Sequence, residues 1–230
     1  MQLPRVGCAR SGIIAPMLEL GTKVLLAYAL GAILGSLLLG RLRKVDIRTL
    51  GSGNAGGTNA LRTQGLVFGL AVLAIDIAKG VAAVLLLPPL DIPGIGIDPT
   101  VSREWLRLAC AAAVIVGHVY PIWHQFRGGK GAATAVGVLV SLHPWTLLPL
   151  LAVWILALVL TGFVGLATML AGVCLVAVVW LRTPEDLSFL LFCIATAGFI
   201  IFTHRGNISR MLQGTEHRAR RVWLLRPRSS

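Results

Sequence analysis

The chain has 230 residues, of which 56% are hydrophobic and 13% are charged, and its formal net charge is +12 at pH 7. This composition is too apolar for an ordinary soluble domain, and several apolar runs approach the ~20 residues that a helix needs to cross a bilayer. The four cysteines form no close pair, which argues against a zinc site or a disulfide framework. We therefore predict an all-α, polytopic integral membrane protein.

Seven apolar runs predict a bundle of about seven membrane-spanning helices. They cover residues 20–40, 66–87, 105–120, 132–142, 145–160, 163–181 and 187–203. The count falls to five or six if the short run 132–142 is re-entrant or merges with its neighbour. The first run leads on into further spans, so we expect an anchor and not a cleaved signal peptide. Residues 1–19 are expected to be an amino-terminal extension of this single domain.

Basic residues determine the expected orientation in the membrane. Fourteen lysines and arginines follow the first, third and last predicted spans, against six on the other side. Because cytoplasmic loops carry the excess of positive charge, we expect the amino terminus outside and the carboxyl terminus inside. Residues 217–230 are expected to form a basic cytoplasmic tail, which either lies on anionic headgroups or serves only as a topology signal.

Three polar segments fall on the expected cytoplasmic side. Polar segment 1 is GSGNAGGTNALR at 51–62, polar segment 2 is GHVYPIWHQFRGGKGAAT at 117–134, and polar segment 3 is HRGNISRMLQGTE at 204–216. All three combine glycine, small hydroxyl or amide residues, and cations. They are either plain connecting loops, in which such residues are common, or parts of one site.

The functional interpretation is an anion-binding site at the membrane boundary. Glycine lets backbone N–H groups approach a ligand closely, and Lys130 places a point charge among three glycines. The run GAAT then begins a helix, whose first N–H groups add positive potential. Forked donors for phosphate oxygens come from Arg62, Arg127, Arg205 and Arg210.

Two familiar phosphate motifs do not apply here. Gly51, Gly53 and Gly56 spell G-x-G-x-x-G, but no strand precedes them. The run FRGGKGAAT lacks the first glycine of a P-loop, since His124 occupies that position. Nucleotide binding therefore has little support, and no cluster of carboxylates or histidines has the spacing of metal ligands.

Asp76 and Lys79 stand three residues apart inside the second apolar run, so they share a helix face. Ionisable groups at this depth are costly and usually face the bundle interior or a watery cavity. We favour a buried ion pair that locks helices slightly over a direct catalytic role.

The three polar segments resemble, in order and spacing, the signature motifs of the bacterial membrane glycerol-3-phosphate acyltransferases that use acyl phosphate, the PlsY family. The likeness covers about residues 20–216. It implies a seven-span bundle in the bacterial inner membrane, with the active site at the cytoplasmic interface. It also implies transfer of an acyl group from acyl phosphate to the 1-hydroxyl of sn-glycerol 3-phosphate, which gives lysophosphatidic acid and inorganic phosphate, the first step of phospholipid synthesis.

The resemblance also implies partners and site residues. The partners are both substrates, the lipid bilayer and the soluble enzyme that forms acyl phosphate; no cofactor, metal or nucleic acid is expected. The residues expected to act in catalysis are Lys130, His118, His204, Ser52 and Asn207. The residues expected to bind substrate are Gly51, Ser52, Gly53, Asn54, Gly56, Thr58, Asn59, Arg62, Arg127, Gly128, Gly129, Lys130, Gly131, Thr134, His204, Asn207, Arg210 and Glu216.

Particular roles follow for some of these residues. Lys130 would hold a phosphate, with backbone N–H groups lent by the glycines around it, and Glu216 would orient a cation. His118 would act as a base, donate to phosphate or only pack. The proton of the attacking hydroxyl would go to a histidine or to a bound phosphate.

Two other functions compete with this interpretation. Acyltransferases that use a thioester such as acyl-CoA commonly pair His with Asp five positions later, but none of the five histidines here has that partner. A transporter for phosphate esters would place cations near mid-bilayer and repeat its pattern in two halves. The cations gather at one boundary instead, and no convincing internal repeat is found.

Overall fold

The computed structural model describes residues 8–220 and 222–225, and side chains from residue 14 onward. All regular secondary structure in this part of the chain is helical, which confirms the predicted fold class. Its α-helices are α1 Cys8–Gly31, α2 Gly35–Leu42, α3 Gly57–Gln64, α4 Leu66–Leu85, α5 Arg103–Val119, α6 Ala132–Leu142, α7 Leu147–Thr161, α8 Val164–Arg182, α9 Leu187–Thr203 and α10 Arg205–Leu212. From α4 to α9, both ends of each helix lie within two residues of the predicted span.

Five of the described helices are long and apolar enough to cross a membrane, and six are if the bent pair α9–α10 counts as one span. The short helix α6 nevertheless runs from one end of the bundle to the other. Beside its first residue, Thr203 at the end of α9 donates to the carbonyl of Lys130 at 3.0 Å. At its last turn, Arg107 donates to the carbonyl of Ser141, and His143 lies 4.0 Å from Asp186. The predicted count of seven and the predicted orientation stay predictions.

The first predicted span is wrong in two respects. Its helix begins at Cys8 and not at Leu20, so residues 8–19 of the predicted extension are part of α1; residues 1–7 lie outside the described part. The helix also stops at Gly31, and the chain resumes as α2 only at Gly35.

The predicted first span began too far along the chain because Glu19 looks like a charged residue outside the membrane, whereas its charge is neutralised inside the bundle. Glu19 is fully buried, with its carboxylate 2.7 Å from the ammonium of Lys23 and 2.6 Å from the guanidinium of Arg103. Lys23 also donates to the carbonyl of Pro88 at 2.8 Å. An ionisable residue that ends an apolar run in sequence is tolerated inside a helix bundle when such partners surround it.

Glycines let two pairs of helices pack closely, as is common in membrane bundles. A Cβ atom on Gly117 of α5 would collide with the carbonyl of Tyr28 on α1. On α4, a Cβ atom at Gly80 would collide with the backbone of Thr134 on α6, and Gly137 is packed against α4 in the same way. These contacts hold the end of α5 against α1 and the start of α6 against α4, and polar segment 2 connects these two places.

The described part of the basic tail folds back on the turn between α7 and α8. Ala219 N donates to the carbonyl of Gly162 at 2.8 Å, and Arg218 lies between the rings of Phe163 and Trp223. Residues 221 and 226–230 lie outside the described part, so the expected contact of the tail with headgroups stays a prediction.

Candidate active site

A cavity of about 760 Å³ brings the three polar segments together. The residues that line it are, from polar segment 1, Ser52, Asn54, Gly56, Gly57, Thr58, Asn59 and Arg62; from polar segment 2, His118, Lys130, Gly131, Ala132 and Ala133; and from polar segment 3, His204, Asn207 and Glu216. Segments separated by more than 50 residues in sequence therefore share one cavity wall. This confirms that they are parts of one place in the fold and not three independent loops.

Asn59 shapes the loop of polar segment 1 from the inside. Its side-chain nitrogen donates to the carbonyls of Ile47, Leu50 and Asn54, and its oxygen accepts from the backbone of Ser52. We predicted that Asn59 binds substrate, but its amide is already occupied by the loop. Its role in this structure is to hold the backbone that presents Ser52 and Asn54 to the cavity.

Two glycines of the same loop are required by its backbone conformation. Gly51 and Gly53 have φ values of +58° and +71°, in the left-handed region that favours glycine. A Cβ atom on Gly51 would also collide with the side-chain oxygen of Asn59. Neither glycine borders the cavity, although both were predicted to bind substrate.

The glycines before Lys130 are required by packing. Gly128 N donates to the carbonyl of Val119, and Gly129 N donates to the carbonyl of His118, at 3.1 and 3.0 Å. We expected these N–H groups to bind phosphate, but the last carbonyls of α5 already accept them. A Cβ atom on Gly129 would collide with the buried imidazole of His118. The two glycines therefore hold the loop against α5 and so fix the backbone position of Lys130.

A chain of polar contacts positions Lys130 against polar segment 3. The Lys130 ammonium donates to the side-chain oxygen of Asn207, and the nitrogen of that amide donates to Glu216 at 2.8 Å. Arg210 donates to the other oxygen of Glu216 at 2.7 Å. Arg210 itself does not border the cavity, so it acts through Glu216, which was predicted to orient a cation.

Lys130 lies outside the helices and is enclosed by the cavity wall. Burial, together with the positive charges of Arg210 and Arg62, lowers the pKa of Lys130 to about 8, while the negative charge of Glu216 opposes this shift. An incoming anion would relieve both the desolvation and the repulsion between these cations. The site is thus suited to a phosphate group before any ligand arrives.

His204 borders the cavity, and the hydrogen bonds of its ring among the described residues all involve Nδ1. Its Nδ1 lies 2.7 Å from the carbonyl of Ile200, an acceptor only, so this nitrogen carries the proton. In the neutral ring, Nε2 is then left with a lone pair. His204 borders the cavity, which places a hydrogen-bond acceptor beside Lys130 and Asn207.

Known proteins resemble this chain over most of its length. The family model described as glycerol-3-phosphate acyltransferase matches residues 22–214. A glycerol-3-phosphate acyltransferase of Chlorobaculum parvum is 38% identical over 218 residues, which cover 85% of this chain and 94% of that protein. One of Bacillus velezensis is 38% identical over 194 residues, covering 84% of this chain and 94% of that protein.

Two solved structures of PlsY, an integral membrane glycerol 3-phosphate acyltransferase, are also similar. One is a glycerol 3-phosphate form, with a TM-score of 0.76, and the other is a lysophosphatidic acid form, with a TM-score of 0.74. Each is 33% identical and covers 86% of this chain and 94% of its own. This chain belongs to the PlsY family of glycerol-3-phosphate acyltransferases. It is therefore an acyltransferase of the membrane-integral type.

Three further predicted site residues of this PlsY-family chain lie away from the cavity. Arg127 is exposed and does not border it. Thr134 is fully buried between α6 and α4, and its hydroxyl finds no partner among the described residues. Arg205, also offered as a phosphate donor, lies over the ring of Phe202 on the surface.

The residues that form the apolar half of the cavity were not predicted. It extends from the polar segments into a groove among α6, α7, α8 and α9, toward the end of the bundle that holds Pro144. The residues that line this groove include Leu139, Leu147, Leu150, Leu151, Trp154, Thr168, Gly172, Leu175, Thr196, Ala197 and Ile200. Since they come from four helices and are ordinary membrane residues, no local pattern marks them. His217, which follows polar segment 3, also lines the cavity.

The predicted ion pair of Asp76 and Lys79 is present, with 3.0 Å between Asp76 Oδ1 and Lys79 Nζ. Lys79 also donates to the carbonyls of Gly31 and Ile33 at 2.8 Å each, and its Nζ lies 2.8 Å from His118 Nδ1. The ammonium thus satisfies the carbonyls that the break between α1 and α2 leaves free. Asp76 and His118 border the cavity, whereas Lys79 does not.

Proposed function

We propose that this chain transfers an acyl group from acyl phosphate to the 1-hydroxyl of sn-glycerol 3-phosphate. The products would be lysophosphatidic acid and inorganic phosphate, in the first step of phospholipid synthesis at the bacterial inner membrane. The observation that carries the proposal is a single cavity with a cationic, hydrogen-bonding end and an apolar end. Such a cavity matches a reaction that joins a small phosphate ester to a long alkyl chain.

The polar end suits the phosphate groups of both substrates. Lys130 and Arg62 supply positive charge, and Ser52, Asn54 and Asn207 add polar side chains around them. Glycerol 3-phosphate would enter from the aqueous side, steered by the positive potential of this end. The soluble enzyme that forms acyl phosphate would supply the donor from the same side.

The apolar groove suits the acyl chain of the donor. Leucine, alanine and glycine residues on α6–α9 form its walls, so an alkyl chain could leave the polar end and continue between the helices. Burying each methylene of such a chain contributes about 0.8 kcal/mol. The groove therefore supplies binding energy far from the reacting carbonyl and fixes the donor in one direction.

The chemistry requires no covalent enzyme intermediate. The hydroxyl oxygen attacks the acyl carbonyl carbon, the bond from that carbon to the phosphate oxygen breaks, and phosphate leaves with the electron pair. Lys130 and Arg62 would stabilise the charge on the leaving phosphate, and positioning of the two substrates would supply much of the remaining rate. His204 Nε2 and the leaving phosphate are the two candidate acceptors of the hydroxyl proton.

A donor comparison tests the proposal. Purified protein in lipid vesicles receives radiolabelled glycerol 3-phosphate together with palmitoyl phosphate, palmitoyl-CoA or no donor. We expect labelled lysophosphatidic acid with palmitoyl phosphate alone. Product formed from palmitoyl-CoA and not from palmitoyl phosphate would contradict the proposed donor. Uptake of glycerol 3-phosphate into vesicles without any donor would favour the transporter.

A further inference from the structure

The two carboxylate oxygens of Asp76 have different surroundings. Oδ1 lies 3.0 Å from Lys79 Nζ and 3.4 Å from His118 Nδ1, and it accepts from Gly35 N at 3.5 Å. Oδ2 is buried and receives no hydrogen bond from any residue that the structure describes. An ionised oxygen in this position costs free energy until a donor reaches it. Because Asp76 borders the cavity, a ligand can be that donor.

The other carboxylate at the cavity wall is already engaged. Glu216 accepts from Asn207 with one oxygen and from Arg210 with the other. Asp76 is therefore the carboxylate residue at the cavity wall that, within residues 14–220, retains an oxygen, Oδ2, without a protein donor. It is 1% exposed as a residue, so it does not simply face bulk water.

The charges of the cavity distinguish the two ends of a polar ligand. Lys130 and Arg62 attract phosphate, whereas the Asp76 carboxylate repels phosphate and accepts only hydrogen-bond donors. Glycerol 3-phosphate has a phosphate at one end and hydroxyl donors at the other. We propose that Asp76 Oδ2 accepts a hydrogen bond from a glycerol hydroxyl of the acceptor substrate and so orients that molecule in the cavity. The inference rests on the proposed function, because it assumes this acceptor.

Lys79 and His118 are positioning residues for this contact. Together they hold Oδ1, which leaves Oδ2 as the oxygen that can meet a ligand. His118 also packs against Gly129, one residue before Lys130. The cluster of Asp76, Lys79 and His118 therefore fixes the position of the hydroxyl-binding carboxylate relative to the backbone that precedes Lys130.

The first test is the Asp76→Asn variant, which keeps the shape of the side chain and replaces one carboxylate oxygen by an NH₂ donor. The Lys79 ammonium requires the remaining oxygen at the Oδ1 position, so the NH₂ group falls at the Oδ2 position. We expect the KM for glycerol 3-phosphate to rise on the order of 10- to 100-fold, because a buried donor loses its acceptor. The inhibition constant of inorganic phosphate, which has no glycerol hydroxyl, should stay within about twofold of wild type. An equal rise in both constants would overturn the inference, since a merely structural role would disturb the whole site.

Glu19→Gln is the matched control, because it makes the same chemical change in a buried ion cluster at the other end of the bundle. It should lower thermal stability without changing the ratio of the two constants. A change in that ratio as large as the one in Asp76→Asn would also overturn the inference, since buried carboxylates in general would then produce it.

A second measurement needs no variant. Wild-type protein with ¹³C-labelled aspartate is studied by difference infrared spectroscopy, with glycerol 3-phosphate or inorganic phosphate added and no acyl donor. We expect a shift of an aspartate carboxylate band with glycerol 3-phosphate and none with inorganic phosphate. Identical spectra with both ligands would refute the contact. Absence of lysophosphatidic acid with every donor would instead refute the proposed function, so the two failures are distinguishable.

Discussion

Lys130 combines enclosure with nearby positive charge, and this combination sets how the site depends on pH. Its ammonium is surrounded by the cavity wall, with Arg62 and Arg210 close enough to lower its pKa. Phosphate binding removes the repulsion and favours the charged form of the lysine. Affinity for phosphate and protonation of Lys130 are therefore linked.

We predict that the KM for glycerol 3-phosphate rises with pH above the Lys130 pKa of about 8. Below that pH the lysine is charged in the free protein, and above it the neutral amine must first take up a proton. The phosphate is a dianion throughout this range, since its second pKa is about 6. The expected slope approaches about tenfold in KM per pH unit.

Steady-state kinetics between pH 7 and 10 measures this slope. The Lys130→Arg variant is the control, because arginine stays charged over the whole range and its KM should not rise. A wild-type KM that is flat to pH 10 would contradict the assignment of Lys130.

Gly129 is a second residue whose role is set by its neighbours. We predict that Gly129→Ala lowers the free energy of unfolding by about 1–3 kcal/mol, because the added methyl group overlaps the imidazole of His118. Gly198→Ala on α9 is the control, since nothing lies within 4 Å of a Cβ atom there. Thermal unfolding in detergent compares the two. Equal stability of both variants would show that His118 can move away.

At the level of elements, the helices α8 and α9 set the width of the apolar groove. Gly172 on α8 faces Ala197 on α9, and a Cβ atom at Gly172 would lie 3.7 Å from Ala197, an ordinary contact. Small residues on both helices leave space there that larger side chains would fill. This part of the groove is where a long acyl chain would continue toward Pro144.

We predict that Gly172→Leu shifts the preferred donor to shorter acyl chains. The leucine side chain would fill the groove below the polar end, so kcat/KM for palmitoyl phosphate should fall at least about tenfold relative to a short-chain acyl phosphate. Gly198→Leu makes the same change on an exposed face of α9 and should leave the ratio unchanged. If Gly172→Leu loses activity equally with all chain lengths, the groove does not select the chain.

Helix bounds from α4 to α9 were predictable because each apolar run ends in proline, glycine or charge. The first span was not, because Glu19 and Lys23 look like solvent-exposed residues in sequence and are paired only in the folded bundle. The break after Gly31 likewise depends on Lys79, which lies 48 residues further along the chain. Partners that lie far away in the sequence leave no pattern in the local sequence around the groups that they neutralise or hydrogen-bond.

The site was predictable in its polar half only. Glycine, amide and cationic residues at one boundary indicated a phosphate site, and the structure brings them together around one cavity. The individual roles of Asn59, Gly128 and Gly129 were not predictable, since their hydrogen bonds end on a loop backbone and on α5. For Asp76 a structural ion pair was favoured only slightly over a direct catalytic role, and only the structure places this residue at the cavity wall.

At the scale of the whole molecule, the two ends of the bundle differ in chemistry. One end holds the cationic cavity, and the other holds the buried cluster around Glu19 and the pair of His143 and Asp186. Together with the path of α6, this polarity is consistent with seven crossings. The expected orientation places the cavity on the cytoplasmic side.

We predict that two exposed positions are accessible from opposite sides of the membrane. In a cysteine-free background, Thr215→Cys at the cavity end should react with a membrane-impermeant thiol reagent only after the inner face is opened. Glu185→Cys, at the other end, should react in intact cells. Labelling of both cysteines from the same side would show that the number of crossings between them is even.

The most direct test of the central claim, that one cavity holds phosphate at one end and the acyl chain at the other, is photo-crosslinking with an acyl phosphate. The analogue carries a diazirine at the end of its chain, and labelled peptides are identified by mass spectrometry. We expect labelling of α7 and α8 along the groove, with competition by palmitoyl phosphate. Labelling confined to the lipid-facing side of α1 or α5, without competition, would contradict the account.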